Sequence, residues 1–279
     1  MSDVRRDEWI RVWRPAVPGI SEVFHARFVE HAYPPHTHDA WTVFIVEEGA
    51  VRYDLESRHR GAAGARVTVL PPHVVHDGRA ASSDGYRKRV LYVDTEVLGT
   101  ALTGPAVDAP DVEDTSIVRG FRALDAALQD PDETFEAESR LAVVGAQLRE
   151  HLGESVEERS ERPRNDVAAD LRDLLDDDRF GSTTLAEAAR IFHVSPAHLV
   201  RSFSKTFGIA PHRYLIGRRI DAARRRLLDG EPAARVAVEV GFHDQAHLTR
   251  HFRRYVGTTP ARYASSARRA YSRPALLYS

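Results

Sequence analysis

Three histidines and two basic stretches are the residues of this chain whose types and spacing could do chemistry. His36 and His38 stand two apart in HTHDAWTVFIVEEG (36–49), and His76 ends GARVTVLPPHVVH (64–76). On a strand, positions i and i+2 face the same way, so two imidazoles share a face and a third could complete a three-histidine metal site. The same rings could instead hydrogen-bond and pack at the mouth of a concave pocket for an organic effector. That second reading is preferred, with Trp41, Tyr53 and Tyr92 as further candidate pocket residues and with neither metal nor cofactor expected. The basic stretches carry Arg201, Ser204 and Lys205 in one case and Thr249, Arg250, Arg253 and Arg254 in the other. Guanidinium groups in such arrays bind phosphates and the edges of bases.

The elements that must position the basic residues form an internal repeat. SPAHLVRSFSKTFGIAPHRY (195–214) aligns without gaps over DQAHLTRHFRRYVGTTPARY (244–263). Leu199, Arg201, Phe203, Gly208, Pro211 and Tyr214 recur as Leu248, Arg250, Phe252, Gly257, Pro260 and Tyr263. Each copy predicts a helix, 195–207 and 244–256, with Ser195 or Asp244 as N-cap and Gly208 or Gly257 as stop. Leu199, Phe203, Leu248 and Phe252 belong to the buried stripe, because burial explains them without any partner. A shorter helix precedes each: 185–192, opened by a capping box from Thr184 to Glu187, and 233–240, stopped by Gly241. Short helix, tight turn and longer basic helix is the helix-turn-helix pattern, with units at about 184–208 and 233–257. Between them, 211–229 predicts one helix with Ile216, Ile220, Ala223 and Leu227 on a stripe. Nineteen residues rise about 28 Å, near the roughly 34 Å between successive major-groove faces, so a fixed spacer would lay both basic helices on one side of a duplex.

RVAVEVGFHDQAHLTRHFRRYVGTTPARY (235–263) resembles the second helix-turn-helix of AraC/XylS-type transcription regulators. The shared pattern is an alanine-containing helix, Gly-Phe, an Asp cap, an aromatic in the recognition helix and a Gly-x-x-Pro ending. The first copy departs from it: His193 stands where a turn glycine is usual, in a turn one residue shorter. Histidine tolerates positive φ better than branched residues do. The resemblance implies base-edge contacts from Ala197, Val200 and Arg201 in the first recognition helix and from Gln245, Thr249 and Arg250 in the second. Ser204, Lys205, Arg253, Arg254 and Arg262 are then phosphate candidates, supplying affinity without sequence information. The segments 36–49 and 64–76 are similar to the two cupin-type motifs in the amino-terminal domain of many such regulators. A metal-binding cupin usually also carries Glu about four residues after the second His, where this chain has Thr42.

Length and composition agree with two domains: 279 residues, 42% of them hydrophobic. No stretch has the apolar length to span a bilayer, residues 1–13 are too charged for a signal peptide, and the absence of cysteine removes disulfide and thiolate chemistry. The net charge of −2 hides a division: residues 164–279 carry 20 Lys and Arg against 12 Asp and Glu, a net of +8, and the remainder a net of −10. A basic carboxy-terminal part argues for nucleic acid. The polar segment GESVEERSERPRND (153–166) reads as a solvated linker. Short Val-, Tyr- and Phe-rich runs at 21–30, 41–48, 51–57, 66–70 and 89–94 predict an antiparallel barrel. Amphipathic stretches at 115–128 and 133–152 predict two helices, either covering the barrel or, as in the family, forming a dimer interface.

The expected fold is therefore α+β: a cupin-like jelly-roll barrel with two following helices (1–152), a linker (153–166) and an all-α domain with two helix-turn-helix units joined by a helix (167–279). The expected function is a cytoplasmic, effector-responsive regulator that binds double-stranded DNA as a homodimer and catalyses nothing; RNA polymerase is a candidate partner, and the sequence leaves activator and repressor both open. The competing reading is a metal-dependent cupin enzyme with an accessory basic helical domain.

Overall fold

The computed structural model describes residues 8–64, 66–153, 167–177 and 185–271. The linker beyond Gly153 and the capping residue Thr184 lie outside the described residues, as do the side chains of Phe135 and Ala197. The amino-terminal part contains β1 (Trp9–Trp13), β2 (Ile20–Phe28), β3 (Tyr33–His36), β4 (Trp41–Leu55), β5 (Arg58–Ala63), β6 (Val67–Leu70), β7 (His76–Ala80), β8 (Tyr86–Val93) and β9 (Asp111–Val112). Helices α1 (Thr95–Leu98), α2 (Thr103–Asp108), α3 (Thr115–Ala127) and α4 (Thr134–Gly153) complete it. The carboxy-terminal part is helical: α5 (Val167–Asp177), α6 (Leu185–Ile191), α7 (Pro196–Phe207), α8 (Pro211–Leu228), α9 (Ala233–Glu239), α10 (Gln245–Val256) and α11 (Pro260–Tyr271). None of the described helices is long and apolar enough to cross a membrane.

The sheet runs in the order β1-β2-β8-β4-β6-β9, with β5 and β7 also on β4 and β3 on β7. All described pairings are antiparallel. The runs expected as separate strands at 41–48 and 51–57 are one long strand. It turns from one half of the barrel to the other at Gly49 (φ 71°), where an added Cβ would lie 2.1 Å from the Gly85 carbonyl oxygen.

Alternation along β4 builds two cores. Trp41, Val43 and Ile45 pack with Ile117, Phe121 and Leu124 of α3 and Leu141, Val144 and Leu148 of α4, so these helices cover the outer face of the sheet on the predicted stripes. Phe44, Val46, Tyr53, Leu55 and Tyr92 face the barrel interior. That inner core is not closed by the barrel alone. It continues into Ile216, Ile220 and Leu227 of α8 and into Phe242, Leu248, Phe252 and Tyr263 of the second helix-turn-helix. The first unit has its own cluster, in which Leu199, Phe203 and Tyr214 pack on Ala168, Leu171 and Leu175 of α5. Strand β1, which the sequence did not reveal, ties the last helix down: the Val12 amide donates to Ser266 Oγ (3.1 Å), and Ser266 Oγ donates to the Ile10 carbonyl (3.2 Å).

Candidate nucleic-acid interface and barrel-mouth site

Both recognition helices form for the reasons their sequences give. Ser195 Oγ accepts from the His198 amide (3.2 Å), and Asp244 Oδ1 accepts from the His247 amide (2.7 Å), each satisfying a donor at a helix start that has no intrahelical partner. Gly208 (φ 69°) and Gly257 (φ 83°) take the left-handed conformation that ends the helices. The turns between the helices also match. His193 (φ 53°) and Gly241 (φ 82°) are both left-handed. In one, Val194 N–H donates to Ala189 O and His193 N–H to Arg190 O; in the other, Phe242 N–H donates to Ala237 O and Gly241 N–H to Val238 O. This is the same Schellman closure twice, and the expected tolerance of His193 for positive φ is realised.

Leu199, Phe203, Leu248 and Phe252 are fully buried, which leaves the other face of each helix to solvent. Arg201, Lys205, Gln245, Arg250, Arg253, Arg254 and Arg262 are exposed, and Val200, Ser204 and Thr249 are half-buried. Gln245, Thr249, Arg250 and Arg253 line one open concavity with Ala246. The far ends of both helices rest on the barrel: a Cβ on Gly208 would meet Ser57 Oγ at 2.9 Å, and one on Gly257 would meet the Phe28 ring at 2.8 Å.

The arginines divide into two groups. On α8, Arg218 pairs with Asp39 and with Asp176 (2.7 Å), Arg224 with Glu22 (2.5 Å), and Arg225 with Asp39 (2.7 Å). Arg218 and Arg224 are buried. On the recognition helices, Arg201, Arg250, Arg253 and Arg254 pair with no carboxylate among the described residues, and their guanidinium groups remain available.

The paired arginines fasten α8 across the barrel mouth. Burial raises the Glu22 carboxyl above its ordinary range despite Arg224. Asp221 of α8 accepts from His38 Nδ1 (3.1 Å) and from the Asp39 amide (3.0 Å). Burial works against its charge, yet the His38 hydrogen bond and the neighbouring arginines hold its carboxyl well below the usual carboxylate range. His36 and His76 are cross-strand partners, and His36 Nε2 lies 3.1 Å from His38 Nε2. Burial lowers all three imidazoles, His76 to about 3, so they are neutral bases.

Of the predicted pocket residues, His36, His38, His76 and Tyr92 meet at the mouth; the Tyr92 ring lies 5.0 Å from His38 and 4.2 Å from the Arg224 guanidinium. Tyr53 lies deeper, against Phe44. Trp41 is a correction: strand alternation puts it on the opposite face, in the core beneath α3 and α4. Lys88 escaped sequence reasoning. Its ammonium lies inside the barrel 4.3 Å from the Tyr33 ring centroid and within 6 Å of Phe24 and Phe44, where burial, assisted by Arg224, lowers it to about 7.

Comparison with known proteins bears on both halves. A family model described as an AraC-like ligand binding domain matches residues 18–144, and one described as a helix-turn-helix domain matches residues 188–266. The chain belongs to the AraC-type transcription regulators. An AraC-type regulator carries a ligand-binding domain and binds DNA through its helix-turn-helix units, and here the ligand-binding domain precedes the helix-turn-helix units. A curated relative, the uncharacterized HTH-type transcriptional regulator YbfI of Bacillus subtilis, is 22% identical over 232 residues, 81% of this chain and 84% of its own. Among solved structures, ToxT of Vibrio cholerae strain SCE256 with an unsaturated fatty acid bound superposes with a TM-score of 0.57 at 12% identity, covering 96% of this chain and 98% of its own. ToxT of Vibrio cholerae O395 gives 0.58 at 10% identity, covering 94% and 98%. These likenesses show that the whole two-domain fold is shared.

Proposed function

We propose that this AraC-type regulator reads two successive major-groove segments of one duplex with α7 and α10, under the control of a small molecule taken up by the barrel. The observation that carries the reading is the division among arginines: α8 keeps Arg218, Arg224 and Arg225 for the barrel, while Arg201 and Arg250 stay exposed and unpaired among the described residues. Arg201 and Arg250 are assigned to guanine O6 and N7, Gln245 to adenine, and Ala197, Val200 and Thr249 to neighbouring base edges. Ser204, Lys205, Arg253, Arg254 and Arg262 are assigned to phosphates. Selection of bound sequences from random DNA by the full-length chain tests this: the expected site has two conserved segments about one helical turn, roughly 10 base pairs, apart. Enrichment of no sequence would overturn it.

The effector proposed is a carboxylic acid with an apolar body. Lys88 supplies a cation among aromatic rings inside the barrel, and ToxT structures hold molecules of this class, an unsaturated fatty acid and a naphthalenyl butenoic acid. Such a ligand needs Lys88 charged, so its affinity should fall as pH rises through about 7 and beyond; an affinity flat from pH 6 to 9, or unchanged in Lys88→Met, would remove Lys88 from the reading. The reading is completed by homodimerisation through the exposed Ala142, Val143 and Ala146 of α4, activation through contact with RNA polymerase, and action in the cytoplasm. Catalysis forms no part of it, because the three imidazoles lie buried beneath α8.

A further inference from the structure

We propose that His36, His38 and His76 hold a divalent first-row transition-metal ion of the zinc type at the seam between barrel and α8, and that this ion fastens the two together. The argument starts from hydrogens. His36 Nδ1 faces the Pro34 carbonyl (2.7 Å), His76 Nδ1 the Val74 carbonyl (3.0 Å) and His38 Nδ1 an Asp221 carboxylate oxygen (3.1 Å). Carbonyl and carboxylate oxygens only accept, so each Nδ1 carries the ring's proton and each Nε2 is left with a bare lone pair. Two of those lone pairs meet, and the third ring stands beside them. His36 Nε2 and His38 Nε2 are 3.1 Å apart, and one ligand atom from each of the three rings lies within 4.8 Å of the others.

Two acceptors at that distance repel unless a positive charge sits between them. A shared proton would satisfy His36 and His38 and leave His76 out; a metal ion satisfies all three. At a zinc–nitrogen distance of about 2.0–2.1 Å, tetrahedral ligands stand about 3.4 Å apart, close to the 3.1 Å found for the first pair, and the widest of the three spacings, within 4.8 Å, has to close on binding. Neutral imidazoles suit zinc, cobalt, nickel and copper better than magnesium or calcium. The outer shell matches as well, since a metal-bound histidine characteristically donates its other N–H to a carbonyl or carboxylate. The sequence favours a metal-free pocket, and the clustering of three neutral imidazoles, two of them with facing lone pairs, reverses that preference.

The carboxylate in this outer shell comes from the DNA-binding half. Asp221 is on α8, and a Cβ on Gly217 of the same helix would stand 3.4 Å from His36 Cβ. Metal binding and docking of α8 on the barrel therefore reinforce each other reciprocally. The site rests on these side chains alone; only its regulatory consequence rests on the DNA-binding reading above.

The test is calorimetric titration of chelator-stripped full-length protein with Zn²⁺, alongside Co²⁺ absorption. One ion per chain and tetrahedral cobalt bands are expected. His36→Gln/His76→Gln should abolish binding and Asp221→Asn should weaken it about 10- to 100-fold. His247→Ala/His251→Ala, which removes the pair of imidazoles on α10, should leave it intact. Absence of stoichiometric binding, its survival in the first double variant, or its loss in the second overturns the site. Should the first variant fail to fold, ¹⁵N shifts of the wild-type rings decide: zinc must move three Nε2 resonances, and fewer than three overturns the proposal. DNA retardation run in parallel separates the two readings, because zinc binding without DNA binding sinks the regulator assignment alone, and DNA binding without zinc sinks the metal site alone.

Discussion

The two helix-turn-helix units descend from one repeated sequence, yet different things hold them. In each, the repeat's tyrosine and an arginine of α8 meet a carboxylate. In the first unit Tyr214 donates to Asp176 (2.9 Å), which also accepts from Arg218 (2.7 Å), and Asp176 belongs to α5, next to the unit itself. In the second, Arg224 donates to Tyr263 (3.1 Å) and to Glu22 (2.5 Å), and Glu22 belongs to strand β2 of the barrel. The apolar cores divide the same way. Phe203 packs in a small cluster built largely from α5 to α8, whereas Phe252 belongs to a core continuous with the barrel interior. One unit is a neighbour of the sensing domain, and the other is part of its wall. A change inside the barrel therefore reaches α10 through a shared core, and α7 through α8 and the edge contact of Gly208 with Ser57.

The largest expected effects would break this contrast or confirm it. Phe203→Ala and Phe252→Ala each leave a cavity in a fully buried site and should each cost about 3–5 kcal/mol. The difference lies in where protection is lost. Hydrogen exchange should show Phe252→Ala loosening β2, β4 and β8 along with α10, and Phe203→Ala loosening α5 to α7 while the barrel stays protected. Identical exchange maps would mean the two cores are energetically one. Next comes Arg224→Met, which strands Glu22 in the interior. Breaking a buried pair from one side costs about 3–5 kcal/mol, and the urea midpoint should fall accordingly. Because burial already raises the Glu22 carboxyl, Glu22→Gln combined with Arg224→Met should recover much of the loss.

That division could not be found in the sequence, and the reason is specific. The repeat, the caps, the glycine stops and the buried Leu and Phe positions are local, and each was legible from residue type and spacing. Helix α8 was legible as a helix with an apolar stripe, but its Arg218, Asp221 and Arg224 look like any solvated charged face until Asp39, Glu22 and His38 arrive from more than a hundred residues away. Trp41 shows the same limit at smaller scale. Every residue from 41 to 46 is buried, because both faces of β4 are covered, so the polar-apolar alternation that would have revealed which way Trp41 points is missing. His36 and His76 could be grouped by type, but their cross-strand register is a property of the closed barrel. Lys88, between Arg87 and Arg89 on β8, carries no local sign that it faces inward.

On DNA, the contrast between units should appear as a difference in reading. Arg250 is flanked by Gln245 and Thr249 in one concavity, whereas the first helix carries the small apolar Val200 where the second has Thr249. Arg250→Ala should cost about 1–3 kcal/mol on the selected operator and relax one base position. Arg201→Ala should relax its position with less help lost around it, and Arg254→Ala should reduce the salt slope by about one without changing preference. Binding across operator variants and salt concentrations separates these, and an equal loss for Arg250→Ala on every sequence would move it to the phosphate group.

The smallest effects concern the turns, where the two units differ by one residue at matched geometry. Gly241 adopts φ 82° with Arg219 donating to its carbonyl (2.6 Å), and an added Cβ would lie 2.8 Å from the Arg219 guanidinium carbon. Gly241→Ala should therefore cost about 1–2 kcal/mol, the usual penalty of a left-handed side chain, plus whatever the shift of Arg219 adds. His193 already bears that penalty at φ 53°. His193→Gly removes it but gives the unfolded chain more freedom to lose on folding, so the net gain should be a few tenths of a kcal/mol at most. The opposite signs follow from one shared backbone shape. If His193→Gly destabilised the first unit by 1 kcal/mol or more in urea unfolding, the imidazole would have to be making a contact that outweighs its backbone strain, and the two turns would no longer be equivalent.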